Sequence, residues 1–208
     1  MTDTTPSVTE PEFLDPETEE FAAQIADQVE SFLLALQAIA READGGRAIS
    51  LLLLEISQVL LAGARLGAQR DFTPRAEYQP DVGPEPDLDA MRLRLAVILD
   101  SVDTYSLVFD PYVPEVVDSL LSDDLTSIAT DLENGLRHYR AGDVEEALWW
   151  WQFSYVSSWG NLAGAALNAL LSVISHDRLD VDYVDPGAEA ASEILTAEML
   201  DVDETEPR

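Results

Sequence analysis

The chain contains no cysteine and no lysine. Without cysteine there is no disulfide framework, no thiolate metal site and no thiol nucleophile, which fits a cytoplasmic protein. Its eleven bases, all arginine, face 41 carboxylates for a net charge of −30. That imbalance repels a phosphate backbone, so no direct DNA or RNA binding is expected. Histidine is scarce as well, and neither His138 nor His176 follows a glutamate by three positions as a carboxylate-bridged di-iron bundle requires. No metal and no cofactor are therefore expected. Hydrolytic nucleophile elbows, phosphate-cradling glycine loops and dinucleotide fingerprints are missing too, which leaves no recognisable chemistry and the question of enzyme activity open. The amino-terminal Met-Thr-Asp-Thr-Thr-Pro has neither a basic nor an apolar region, so no secretory signal is expected.

What is present is one long uncharged stretch, residues 147–175, which opens Ala-Leu-Trp-Trp-Trp-Gln-Phe-Ser-Tyr. In so acidic a chain this segment organises the fold. With Asp143 as N-cap and Glu146 at N3, a helix is expected to start immediately after another ends at Gly142. At 3.6 residues per turn Leu148, Tyr155, Trp159, Leu162, Ala166 and Val173 share a face, flanked by Trp149, Phe153, Val156, Ala163, Leu167 and Ile174. Three consecutive tryptophans span about 200° of helix, so they cannot all enter one core. They either wedge between different neighbours or leave Trp150 or Trp151 on a groove, where Gln152, Tyr155 and Asn161 would supply hydrogen bonds. A membrane span is disfavoured by Gln152, Asn161, Asn168, five serines and acidic flanks.

The length suits one domain with a full core, and charge divides it. Residues 1–20 carry seven acids and no base, and residues 176–208 carry eleven acids against two bases. The expected organisation is an acidic disordered tail at 1–14, a helical domain at 15–178, and an acidic tail at 179–208 whose residues 188–200 suit a short amphipathic helix.

Within the domain, Asp15-Pro16 opens a first helix with Phe21, Ile25, Val29, Phe32, Leu36 and Ile39 on one face. A turn at Gly45-Gly46 sends a second, more apolar helix (residues 47–69) antiparallel to it, with Glu55 either on its exposed edge or paired in a polar pocket. The motifs Gly63-Ala-Arg-Leu-Gly67 and Gly160-Asn-Leu-Ala-Gly164 predict close approach of the second and fifth helices. Residues 70–86 hold four prolines and form a long loop. A third helix is read through Leu88, Met91, Leu95, Ile98, Val102, Tyr105 and Phe109, then a short helical piece over 115–121, then a fourth helix N-capped by Ser122. The junction 139–148 looks like the turn of a single tetratricopeptide-type helical hairpin. The fold class expected is all-α, an antiparallel bundle of about five main helices.

Arg65, Arg70 and Arg75 form the one anion-reading cluster, and they either pair with neighbouring acids or bind a ligand. The candidate ligand- or partner-binding residues are Arg65, Arg70, Arg75, Tyr78, Trp150, Gln152, Tyr155 and Asn161, with no catalytic residue and no metal ligand among them. A recess is expected where the proline-rich loop meets the start of the fifth helix, and Asp103, Tyr105 and Asp110 are possible companions of its arginines. The leading functional expectation is a non-enzymatic protein-interaction module. An aromatic groove and an acidic surface would engage a basic or amphipathic protein partner, with no membrane involvement. The alternative is a small-molecule or enzyme site under the loop.

Residues 51–71 and 145–160, including Glu55, Gly63, Arg65, Gly67, Arg70, Asp71, Trp149, Gln152, Tyr155, Trp159 and Gly160, resemble an uncharacterised actinobacterial family known as a domain of unknown function. The resemblance runs over roughly residues 17–180. It implies an all-helical cytoplasmic protein, assigns no activity and transfers no functional residue.

Overall fold

In the computed structural model of the chain, the residues described are 14–42, 44–74, 83–84 and 86–179. The expected tails, the amphipathic segment at 188–200, and the candidates Arg75 and Tyr78 lie outside the described residues. The chain divides into two compact units, Met1–Leu171 and Ser172–Arg208. In the second, the described residues 172–179 are helical.

The first unit is mostly helical. Helix α1 (Pro16–Ile39) starts as its sequence dictates: the Asp15 carboxylate accepts from the Thr18 N–H at 3.0 Å, and Pro16 fills the first helical position, where no N–H is needed. Its expected face is buried, with Ile25, Val29, Phe32 and Leu36 almost wholly removed from water. Each such side chain contributes roughly 1.5–3 kcal/mol through burial.

Helix α2 (Gly45–Gly67) is capped by Asp44, whose carboxylate accepts from the Gly46 and Arg47 N–H groups. The two glycines thus belong to its first turn and not to the linker; a Cβ on Gly45 would press on the Ile98 carbonyl oxygen. The antiparallel course of α1 and α2 is visible in Arg65, near the end of α2, which donates to Gln24 at 2.5 Å in the first half of α1 and to Gln28 at 3.4 Å at its middle. Among the described residues α2 is the one helix long and apolar enough to cross a membrane. Here Leu52, Ile56, Val59, Ala62 and Leu66 face the core. Glu55 is half-buried on it, and desolvation raises its pKa.

The expected third helix is corrected. Helix α3 (Asp89–Leu99) buries Met91, Leu95 and Leu99, but the heptad seam then breaks. Asp100 adopts φ 44°, uncommon for a residue with a Cβ, and one 3₁₀ turn follows. Val102, Tyr105 and Phe109 do not continue a helix. Strand β1 (Thr104–Asp110) pairs antiparallel with β2 (Val113–Leu120), which replaces the helical piece read over 115–121. Alternation in Thr-Tyr-Ser-Leu-Val-Phe, the turn at Asp110-Pro111 and the valines of β2 favour a hairpin over a spacing that fits a helix equally well.

Helix α4 (Leu121–Arg140) begins at Leu121, and Ser122 is not its N-cap. Helix α5 (Val144–Ser154) returns along it: the Trp151 Nε1–H donates to the Leu132 carbonyl at 3.0 Å and the Trp150 Nε1–H to that of Asp131 at 2.9 Å. Asp143 stands at the N-cap of α5 but makes no side-chain capping bond, so the expected capping box does not form. After α5 the same rod passes through a π turn (Tyr155–Trp159) into α6 (Gly160–Leu179). Counting α5, the π turn and α6 as one rod, the described residues form a bundle of five helices with one added hairpin.

Candidate functional site

The central rod is interrupted by the π turn at Tyr155–Trp159. A wider turn shifts the phase of everything beyond it, so a constant 3.6-residue count cannot be carried from α5 into α6. Within α5, Phe153, expected beside the core, is exposed, whereas Gln152 and Ser154 are buried; in the turn itself Val156, also expected beside the core, is exposed. The tryptophans separate as their spacing demands. Trp151 is fully buried, Trp150 is half-buried against α4 with its ring 6.3 Å from that of buried His138, and Trp149 stacks on exposed Phe153 at 5.1 Å. The π turn also brings the Ser158 hydroxyl to Asp131, to which it donates at 2.9 Å. Burial raises the Asp131 pKa, and the Ser158 bond opposes that rise.

Gln152 ties the rod to the loop after α2. Its Oε1 accepts from the Phe72 N–H at 2.9 Å, while its Nε2 donates to the carbonyls of Leu66 at 3.0 Å and Arg70 at 3.3 Å. The expected approach of the proline-rich loop to the start of the fifth helix is therefore made, through main-chain atoms of the loop. Phe72 in turn stacks on Phe21 of α1 at 6.4 Å, and the Arg65 guanidinium lies 5.3 Å from the Phe21 ring centre. Beside these rings opens a recess of about 750 Å³, whose polar wall includes Asp15, Glu17, Arg70, Asp71 and Glu145.

The expected constellation assembles only in part. Arg70 and Gln152 meet, and Arg65 braces the wall from α2. Trp150 instead faces Asp131 and His138 of α4 and is not part of the recess lining. Tyr155 packs on Gly63 and Gly67 of α2, where a Cβ at Gly63 would collide with the Tyr155 and Trp159 rings. The predicted touch between the second and fifth helices is thus a ring laid on glycine. Asn161 is exposed on α6, beside Leu107, Val108 and Phe109 of β1.

The hairpin supplies the surface that sequence reading missed. Its base is locked to α4: Asp103 accepts from the Ser122 N–H at 2.8 Å and the Ser122 hydroxyl at 2.9 Å, and the Asp103 carbonyl accepts from the Leu121 N–H. Asp103 thereby caps α4 from outside the helix. The Tyr105 hydroxyl donates to Asp124 at 2.6 Å, joined there by Ser119 at 3.0 Å. Burial raises the Asp124 pKa against these hydrogen bonds, and burial together with the Asp124 contact drives that of Tyr105 strongly upward. Asp103 and Tyr105 therefore serve the hairpin base and do not join Arg70. Beyond the base, Val108, Phe109, Val113, Val116 and Val117 are exposed and Tyr112 is 94 % accessible. Residues 95–136 include nine acids and no base. The missed signal was the period-two alternation, masked by an equally good three-and-four spacing. Among the described residues, no group of three His, Asp or Glu converges as metal ligands would.

A crystal structure of protein BF1032 from Bacteroides fragilis resembles this fold with a TM-score of 0.57 at 18% identity, over 76% of this chain and 92% of that one. At that identity the likeness concerns the fold alone. No curated protein matches the sequence. A family model described as a domain of unknown function matches residues 16–176, from the start of α1 into the last turn of α6. The chain belongs to that family, DUF5063.

Proposed function

We propose that this chain is a non-enzymatic protein-binding module of the cytoplasm, engaging a basic or amphipathic protein partner rather than nucleic acid or membrane. The supporting observation is the hairpin of β1 and β2, which carries a run of exposed apolar residues in a stretch without a single base. An isolated two-stranded sheet is marginally stable in water, and this one is anchored by hydrogen bonds at its base. Exposed apolar surface rimmed by polar groups of one charge sign marks a binding face. The test is a photo-crosslinking residue placed at Tyr112 at the hairpin tip, compared with one at Ser57 on the exposed side of α2. Discrete protein adducts from Tyr112 alone support the reading. Absence of adducts, or equal adducts from both positions, refutes it.

A second reading, a small-molecule or enzyme site, is favoured by the recess beside Phe21 and Phe72. Four carboxylates against one arginine on its wall suit a cationic amine. That reading predicts that some member of a panel of small amines raises the melting temperature and that Glu17→Gln abolishes the rise. A flat response across the panel refutes it.

A further inference from the structure

From the edge of β1 and its neighbour α6, we infer a peptide-binding groove that captures an extended basic and apolar segment of a partner protein by strand addition. This inference rests on the protein-binding reading above and specifies where and how binding occurs.

The backbone geometry comes first. The Asp103 carbonyl accepts from the Leu121 N–H, which makes that pair a hydrogen-bonded one in the antiparallel ladder. Register then alternates: Tyr105 with Ser119 and Leu107 with Val117 bond across the hairpin, while Thr104, Ser106 and Val108 direct their N–H and C=O groups outward. Among the described residues, no backbone hydrogen bond from another element reaches these three. The opposite edge is less suited to pairing. Strand β2 carries Pro114, which has no N–H, inside the irregular step that faces Val108 to Asp110.

A groove runs beside the open edge. About 320 Å³ of space separates Leu107, Val108 and Phe109 from Gly160, Asn161, Gly164 and Ala165 of α6. Three consecutive strand residues line it, so the space runs along β1 beside its backbone. The opposite wall is low because it is built of small residues, and a Cβ at Gly164 would meet nothing within 4 Å. A strand edge facing a shallow helix wall is the arrangement in which an added peptide takes main-chain hydrogen bonds from the edge and sets alternate side chains on the surfaces beside it. Asn161 is placed to meet the peptide from the helix side.

Charge selects the occupant. Asp110, Glu115 and Asp118 are exposed on the hairpin, and no base stands between Arg94 and Arg137. A second copy of this chain would bring the same carboxylates to the same edge, whereas lysine or arginine alternating with valine or isoleucine would answer both the acids and the exposed Val108 and Val116.

The experiment titrates a fluorescent synthetic peptide of alternating valine and lysine into the full chain. Two further peptides serve as comparisons: the same sequence N-methylated at alternate residues, and one with glutamate in place of lysine. Saturable binding of the first peptide is expected, weakened about tenfold or more by N-methylation because the shared main-chain bonds are removed. The same loss is expected in Gly164→Leu, which fills the groove at a position with free space, and in Val108→Pro, which removes an outward N–H; circular dichroism should show both variants folded. Equal binding of the N-methylated peptide, or unchanged binding by folded Gly164→Leu, overturns strand addition. If Tyr112 adducts nevertheless form, the protein-binding reading survives without this groove; if they too are missing, both readings fall. Self-association through the hairpin that excludes the peptide also overturns the inference.

Discussion

The indole of Trp151 lies directly on the bare backbone of Gly135, with ring atoms where a side chain at that position would begin. The same indole donates to the Leu132 carbonyl one turn earlier on α4, so one of the two fully buried tryptophans is both wedged and hydrogen-bonded between two helices. Gly135→Ala should therefore destabilise the fold by about 1–3 kcal/mol through overpacking. Trp151→Ala should cost about 3–5 kcal/mol through the cavity it leaves. Urea denaturation followed by circular dichroism measures both; a neutral Gly135→Ala would mean that α4 and α5 can separate freely.

Gln152→Leu tests the clamp between the central rod and the loop. The substitution keeps an apolar body of similar size but leaves the Phe72 N–H and the Leu66 carbonyl without their side-chain partner. A loss of about 1–3 kcal/mol is expected, chiefly for the Phe72 N–H, because the Leu66 carbonyl still accepts from the Gln69 N–H. Hydrogen exchange at Phe72 should also accelerate while that of the α1 core is less affected.

The raised carboxylates give a signed pH dependence. Burial lifts the pKa values of Asp124, Asp131 and Glu55 above those of the unfolded chain. Groups of this kind contribute stability that is complete below the unfolded value and is lost as pH rises through the folded one. The melting temperature should accordingly rise as pH is lowered from neutrality toward the carboxylate range, before general acid unfolding. Asp131→Asn, which still accepts from Ser158, should flatten part of that rise. A melting temperature that falls steadily on mild acidification would contradict the assignment.

Asp100 holds a positive φ with a Cβ in place. Glycine adopts that conformation without the steric penalty, so Asp100→Gly should stabilise the junction of α3 and the hairpin by about 1 kcal/mol. Thermal unfolding would show it, and a destabilised variant would mean that the Asp100 side chain contributes more than its backbone strain costs.

Amino-acid order alone determined the helices whose apolar residues recur on one face and whose ends carry local signals. Asp15-Pro16 and the Phe21-to-Ile39 face specified α1, and the Gly63-to-Gly67 motif marked where Tyr155 of the central rod lies on α2, whereas Gly164 faces open space, because caps, periodicity and missing side chains act within a few residues. The family was legible as well, in the segments around Leu51 and Trp149. Tertiary structure alone decided residues 100–120, where one apolar pattern serves helix or strand; the outcome depends on Asp103 and Asp124 finding Ser122, Tyr105 and Ser119. It also decided the phase of the central rod. Gln152 is buried because the end of α2 and the loop after it supply its partners, while the π turn that follows sets Tyr155 on Gly63 and Ser158 on Asp131, none of which is local in sequence.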